Sequence, residues 1–175
     1  FTFVGVDAAP VPSLLRGFSA PVKLHYDFSD GESTFLLAHD SDDFCRWDAA
    51  QTLAQRLILT GIGDWRAGRP VMVPEGFIAA FGAALGDADA DRDLLTQVLM
   101  LPGESYLGDQ QEVVDVDAIH AVREEVRRSL AEALRPQLLD TYRACAETGD
   151  SLLCSLIHRD VAGTLWLTDD GFTTT

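Results

Sequence analysis

At 175 residues, 47% of them hydrophobic, the chain is long enough to bury one core, or a small domain with a flanking piece. Its 13 Lys+Arg against 28 Asp+Glu leave a formal charge of −15, which argues against nucleic acid or an anionic membrane as partner, because both demand clustered basic residues. Cys45, Cys145 and Cys154 are odd in number and show no CxxC spacing, so neither a disulfide framework nor a thiolate zinc site is indicated.

Phe1 to Val6 reads as a strand, after which Pro10 and Pro12 force an extended connection. Val22, Leu24, Tyr26 and Phe28 then alternate with other residues, Asp30-Gly31 tolerates positive φ, and Thr34 to Ala38 resumes an apolar run. This pattern predicts a β-hairpin with Tyr26 opposite Phe35 and Leu24 opposite Leu37, its large side chains on one face that needs a covering layer. With Asp43 as N-cap the period changes to helical, and Phe44, Trp47, Ala50, Leu53, Leu57 and Ile58 share a stripe that Gly61 ends. Phe77, Ile78, Phe81, Ala84 and Leu85, then Leu94, Leu95, Val98 and Leu99, predict two shorter helices, the second stopped by Pro102.

A longer helix begins near Asp115 or Asp117, with Ile119, Val122, Val126, Leu130 and Leu134 inward and Glu124 paired with Arg128. Pro136 either kinks this helix or restarts it at a first turn, and Leu138, Leu139, Tyr142 and Cys145 continue the stripe. The expected fold class is therefore mainly α with a small β portion: a β-hairpin or partial β-sandwich followed by an antiparallel α-helical array. No run approaches the ~20 apolar residues of a membrane span, and the opening FTFVGVDAAP, with neither a basic n-region nor an initiating Met, suggests a cut inside a domain.

Sequence motifs assign no catalytic, cofactor-binding or metal residue. His25, His39, His120 and His158 include no i, i+4 pair, the hairpin register sends His25 and His39 to opposite faces, and His120 reads as a surface partner of Glu124. The run Asp87, Asp89, Asp91, Asp93 lacks the Gly and the bidentate Glu of a calcium loop, having Arg92 and Val98 there instead, and reads as a solvated loop with an N-cap. Gly61-Ile62-Gly63 begins like a dinucleotide fingerprint but has Arg66 at the third glycine position. Cys45 has no neighbouring His in sequence, and no GxSxG or Walker lysine loop occurs. Phe44, Trp47, Trp65, Phe77 and Phe81 could imitate a ligand cage, yet their helical spacing makes core packing the default; Arg46 and Asp48 beside Trp47 are expected in surface or interdomain contacts.

Two gap-free stretches, PSLLRGFSAPVKL (Pro12 to Leu24) and DFCRWDAAQTL (Asp43 to Leu53), resemble the aminopeptidase N family of HExxH zinc metallopeptidases, where the β-sandwich domain passes into the C-terminal helical domain. The resemblance implies residues 1–42 as the end of the sandwich, 43–148 as the first part of the helical domain, and 149–175 as a tail that departs from the family pattern, with a β-like TLWLT segment. That departure suggests a shifted reading frame or an artificial chain end, and a frayed terminus exposing Trp166 and Phe172. Neither HExxH nor the family's GAMEN motif is present, so the resemblance implies a non-catalytic part of a cytoplasmic enzyme: zinc held in the parent and none by this chain, peptide substrates, and the parent's own catalytic domain as partner. From a different class, an independent helical interaction module would use the uncovered hairpin face to bind a partner or a second copy.

Overall fold

The computed structural model describes residues 4–20, 22, 24–87, 90–148, 154, 156–157, 165–168 and 171–174, the last two stretches and residues 94, 146 and 148 as backbone only. Among the described residues seven α-helices follow one another: α1 Asp30–His39, α2 Asp43–Arg66, α3 Glu75–Leu85, α4 Arg92–Leu99, α5 Glu104–Gly108, α6 Val116–Ala133 and α7 Arg135–Thr148. A short antiparallel ladder, β1 Leu165–Thr168 with β2 Gly171–Thr174, pairs Leu165 with Thr174. Val4 to Val6 form no strand, and Phe1 to Phe3 and the side chains of Trp166 and Phe172 lie outside the described residues.

The expected hairpin is replaced by α1, and with it the β portion of the expected fold at this end of the chain. Ser29 is the N-cap: its hydroxyl accepts from the Glu32 amide at 3.2 Å while the Glu32 carboxylate accepts from the Ser29 amide at 2.8 Å, a reciprocal capping box. Asp30 and Glu32 add negative charge to a first turn that favours it. The Asp30-Gly31 pair thus starts a helix instead of a turn, and Leu36 and Leu37 go inward at 6% and 0% exposure, one behind the other on a helical face. Residue 22 and residues 24–28 form neither helix nor strand, and the Phe28 amide donates back to the Tyr26 carbonyl at 3.2 Å.

Helix α2 is the central element and packs on α1, α4 and α6, while α3 packs on α1, α4 and α7. Its N-cap is Asp42, one residue before the expected Asp43, with the carboxylate accepting from the Cys45 amide at 3.0 Å. It also runs through Gly61 to Arg66. A β-carbon at Gly61 would lie 2.8 Å from Val122 Cγ1 and 3.1 Å from Val71 Cγ1, so this glycine is there for the close crossing with α6 and not for a stop. The turn that does need positive φ comes later, at Gly68 with φ 68°.

Helix α6 begins behind Asp115, whose carboxylate accepts from the Ala118 amide at 3.1 Å. Ile119, Val122, Val126 and Leu130 are buried as the spacing predicts. Glu124, however, pairs with Arg127, and Arg128 with Glu125, both at i, i+3 in place of the expected Glu124–Arg128 pair. The helix ends at Leu134, and Pro136 occupies the first turn of α7, where its missing amide is no loss. Ala50, Ile58, Ala84, Leu107, Val122 and Val126 are fully enclosed and mark the centre of the core.

Candidate functional site

The segment that precedes α1 folds into a strained turn. Leu15 and Phe18 have φ of 55° and 51° and Gly17 has φ 61°, a left-handed region that disfavours side chains such as those of Leu and Phe. What holds the turn is the α1–α2 junction. Arg16 donates to Asp40 Oδ1, Ser41 Oγ and Ser13 Oγ, each at 2.8 Å, and the Gly17 amide donates to Asp42 Oδ2 at 2.8 Å. Asp42 therefore caps α2 with one oxygen and anchors the turn with the other. Burial opposes ionisation of Asp42, but the hydrogen bonds from Cys45 and Gly17 and the charge of Arg16 outweigh it and hold the carboxyl below its ordinary range.

Between this turn, the residues after it and the flank of α2 lies a groove of about 770 Å³. Leu15, Phe18, Val22, Leu24 and Tyr26 form one wall, and Phe44, Trp47, Asp48, Thr52 and Arg56 of α2 form the other. Phe18 stacks on Phe44 at 5.1 Å and Phe44 on Trp47 at 5.6 Å, so one aromatic ladder crosses from wall to wall. Phe18, Val22, Leu24 and Tyr26 all remain exposed. Arg56 closes one end by donating to the Phe28 carbonyl at 2.7 Å and Asp30 Oδ1 at 3.0 Å.

Asp48 opens into the same groove and has no hydrogen bond or ion pair among the described residues. Asp48 is exposed to solvent, and partial desolvation at the groove pushes its carboxyl above the ordinary carboxylate range. Its neighbour Arg46, expected at the surface or in an interdomain contact, is instead 4% exposed, because the helical turn aims it between α1 and the α3–α4 connection. There it donates to the Leu37 carbonyl at 3.3 Å and to Asp87 Oδ2 at 2.7 Å.

The aromatic set divides three ways. Phe77 and Phe81 are core at 4% and 2% exposure, Trp65 is exposed at 43%, and Phe44 and Trp47 line the groove. The sequence spacing identifies the helix but not which flank lacks a neighbour.

No described group of three or more His, Cys, Asp or Glu is placed to hold a metal ion. His39 stacks on Phe35 at 5.0 Å, and His120 Nδ1 meets Glu104 Oε1 at 2.8 Å instead of Glu124. Asp89 and His158 lie outside the described residues. The described residues thus do not fit a zinc site. Cys45 is buried, accepts from Ser13 Oγ at 3.5 Å and donates to the Leu14 carbonyl at 3.2 Å. Burial pushes its thiol up to about 11, which leaves little thiolate for nucleophilic work. No described helix is long and apolar enough to cross a membrane.

The family model described as "Domain of unknown function (DUF3458_C) ARM repeats" matches residues 30–162. Aminopeptidase N of Escherichia coli (strain K12) is 41% identical over 144 residues, 82% of this chain and 17% of that protein. Aminopeptidase N of Haemophilus influenzae is 32% identical over 142 residues, 81% of this chain and 16% of that protein. The chain thus spans about one sixth of the length of these curated relatives. A crystal structure of Legionella pneumophila aminopeptidase A in complex with aspartic acid superposes with a TM-score of 0.75 at 24% identity, over 93% of this chain and 20% of that one, which establishes the likeness of fold.

Proposed function

We propose, for a chain that belongs to the aminopeptidase N family through its DUF3458_C ARM-repeat domain, that it is the non-catalytic helical part of a zinc-dependent aminopeptidase and forms wall of the chamber in which N-terminal residues are removed from peptides. The observation that carries this reading is the alignment with the Escherichia coli enzyme, 41% identical over 144 residues, beside the family model that matches residues 30–162.

The parent's zinc would polarise the scissile carbonyl and activate water. The ligands for it would lie in the catalytic part of the parent, since no described group of three or more His, Cys, Asp or Glu here is placed to hold a metal ion. What this chain contributes is shape and sign. Its helices form a rigid layer, and its net charge of −15 favours a peptide's cationic amino terminus over anionic competitors. The partner is the catalytic domain of the same parent chain, and the compartment is the cytoplasm.

The test is hydrolysis of a fluorogenic aminoacyl amide, with zinc content, on the full-length protein and on this chain in parallel. Turnover with stoichiometric zinc in the full-length protein and neither in this chain is expected. Zinc-dependent turnover by this chain alone, or a full-length protein without peptidase activity, would overturn the reading.

A further inference from the structure

Between α3, α6, α7 and the connection that follows α4 lies an apolar cavity of about 80 Å³, walled by Phe81, Leu101, Leu130, Leu134, Leu138 and Ile157, all of them buried. The exceptions in its lining are two guanidinium groups four residues apart on α6, those of Arg123 and Arg127. Arg123 is committed: its Nε donates to the Pro102 carbonyl at 2.9 Å and its Nη2 to the Leu101 carbonyl at 3.5 Å. Arg127 is not. Its Nη2 donates to the Glu124 carboxylate, but Nε and Nη1 have no hydrogen-bond partner among the described residues. Glu124 also lies 3.6 Å from Arg123 Nη1, so two positive charges share this one carboxylate and the edge of the cavity keeps a net positive charge. The Arg127 side chain is 23% exposed, which lets an anion reach it. In an interior packed as tightly as a crystal, an apolar hollow forfeits dispersion contacts along its walls, and an incoming group of matching size restores them. With roughly 30 Å³ for a group the size of water or methyl, this one has room for about three.

From the unpartnered Nη1 of Arg127 at the edge of a small apolar cavity, we infer that the chain binds a short, branched monocarboxylic acid, with the branched end in the cavity and the carboxylate on Arg127. A free amino acid of the same shape would set its ammonium group against Arg123 and Arg127, so the site selects simple carboxylic acids over amino acids. The inference goes beyond the reading of this chain as part of a peptidase and is independent of it.

The test titrates 3-methylbutanoate into the 175-residue chain by calorimetry, beside 3-methylbutanamide, which has the same shape without the charge, and valine, which is the same acid with an α-ammonium group added. The acid is expected to bind with a Kd on the order of 1 mM, in keeping with its few non-hydrogen atoms, and the amide and valine about tenfold more weakly. Arg127→Gln should weaken the acid about tenfold and leave the amide unchanged, whereas Ala131→Leu, which fills the cavity from α6, should weaken both. Thermal midpoints of the free variants separate lost binding from unfolding, and the comparison of acid, amide and valine is made on the unaltered chain, so it stands even where a variant does not fold. No saturable binding of the acid up to about 20 mM overturns the inference. So does an amide or valine that binds as tightly as the acid, or acid binding that a folded Arg127→Gln variant retains in full. Failure here leaves the hydrolysis assay on the full-length protein untouched, and failure there leaves this titration untouched.

Discussion

Arg46 of α2 reaches across to Asp87 in the α3–α4 connection, Nη1 to Oδ2 at 2.7 Å, while its Nε donates to the Leu37 carbonyl of α1 at 3.3 Å. One guanidinium fork therefore joins three parts of the helical array from a position only 4% exposed. Among the described residues its Nη2 has no hydrogen-bond partner. Arg46→Ala should destabilise the chain by about 2 kcal/mol through lost hydrogen bonds and packing. Asp87→Asn should cost less, because the Asp87 side chain is 37% exposed and its charge is screened. Arg46→Lys is expected to resemble Ala, since a point charge cannot serve two divergent acceptors. Chemical denaturation of the three variants checks the order, and an Asp87→Asn cost at or above that of Arg46→Ala would refute it.

The crossing of α2 over α6 depends on Gly61. In most exposed helix interiors Gly→Ala is stabilising by about 1 kcal/mol, but here the added carbon meets the fully enclosed Val122 at 2.8 Å. Gly61→Ala should lower stability by about 1 kcal/mol or more. Val122→Ala should also destabilise, by opening space, and the double variant should be more stable than the sum of the two losses implies. Thermal unfolding of the cycle decides it: additive losses would mean the two positions do not meet.

Position 31 separates the helix from the hairpin that alternation suggests. Gly31 has no positive φ, and a β-carbon there would find only Ser29 Oγ at 4.0 Å. Gly31→Ala is expected to stabilise α1 by several tenths of a kcal/mol, roughly up to 1, whereas Ser29→Ala should cost about 1 kcal/mol through loss of the capping box. In a hairpin turn both signs would change, so urea midpoints of the two variants report directly on which element forms.

The extremes of pH should act through different residues. Hydrogen bonds from the Ala118 amide and Arg66 hold Asp115 below its ordinary carboxyl range, so its contribution is present above the unfolded value near 3.8 and is lost as pH falls through the lower folded value. Asp115→Asn should flatten that acid limb. Cys45 works in the other direction: raised from 9.0 to about 11, its thiol favours the folded state below pH 9, and that contribution disappears as pH rises through 11. Cys45→Ser or Cys45→Ala should make stability less sensitive to pH between these values. Midpoints recorded from pH 3 to 11 test both limbs, and wild-type slopes retained in either variant would assign the titration elsewhere.

Much of this fold is legible in the sequence where local spacing and tertiary burial agree. Ile119, Val122, Val126 and Leu130 declare α6, and Phe77, Phe81, Ala84 and Leu85 declare α3. The failures occur where one residue type serves two purposes. Gly61 has the form of a stop, but the chain uses its small size against Val122, a relation that exists only between elements. Ser29-x-x-Glu32 announces a helix start, yet the alternating Leu24, Tyr26 and Phe28 upstream and the apolar Phe35 to Ala38 downstream imitate two strands around it. Helix α5, Glu104–Gly108, is too short to display a period. Asp48 and Trp47 are recognisable as unusual neighbours, whereas the groove they share with Leu24 depends on the turn pinned by Asp40 and Asp42, which no local pattern encodes.

That pinned turn also sets an order of events. Leu15 and Phe18 keep left-handed backbone only while Asp40, Ser41 and Asp42 hold the loop between them, so releasing the contacts relieves strain at the moment it removes support. The arm should therefore come away from the helices as one unit, at a lower opening free energy than the array itself. In native-state hydrogen exchange the Gly17 amide would report the latch and the buried amides of α2 the body, and a common protection factor for both would mean that latch and body open together. The residues that shape the groove are thus also its hinge, a clasp that can be sprung without melting the scaffold.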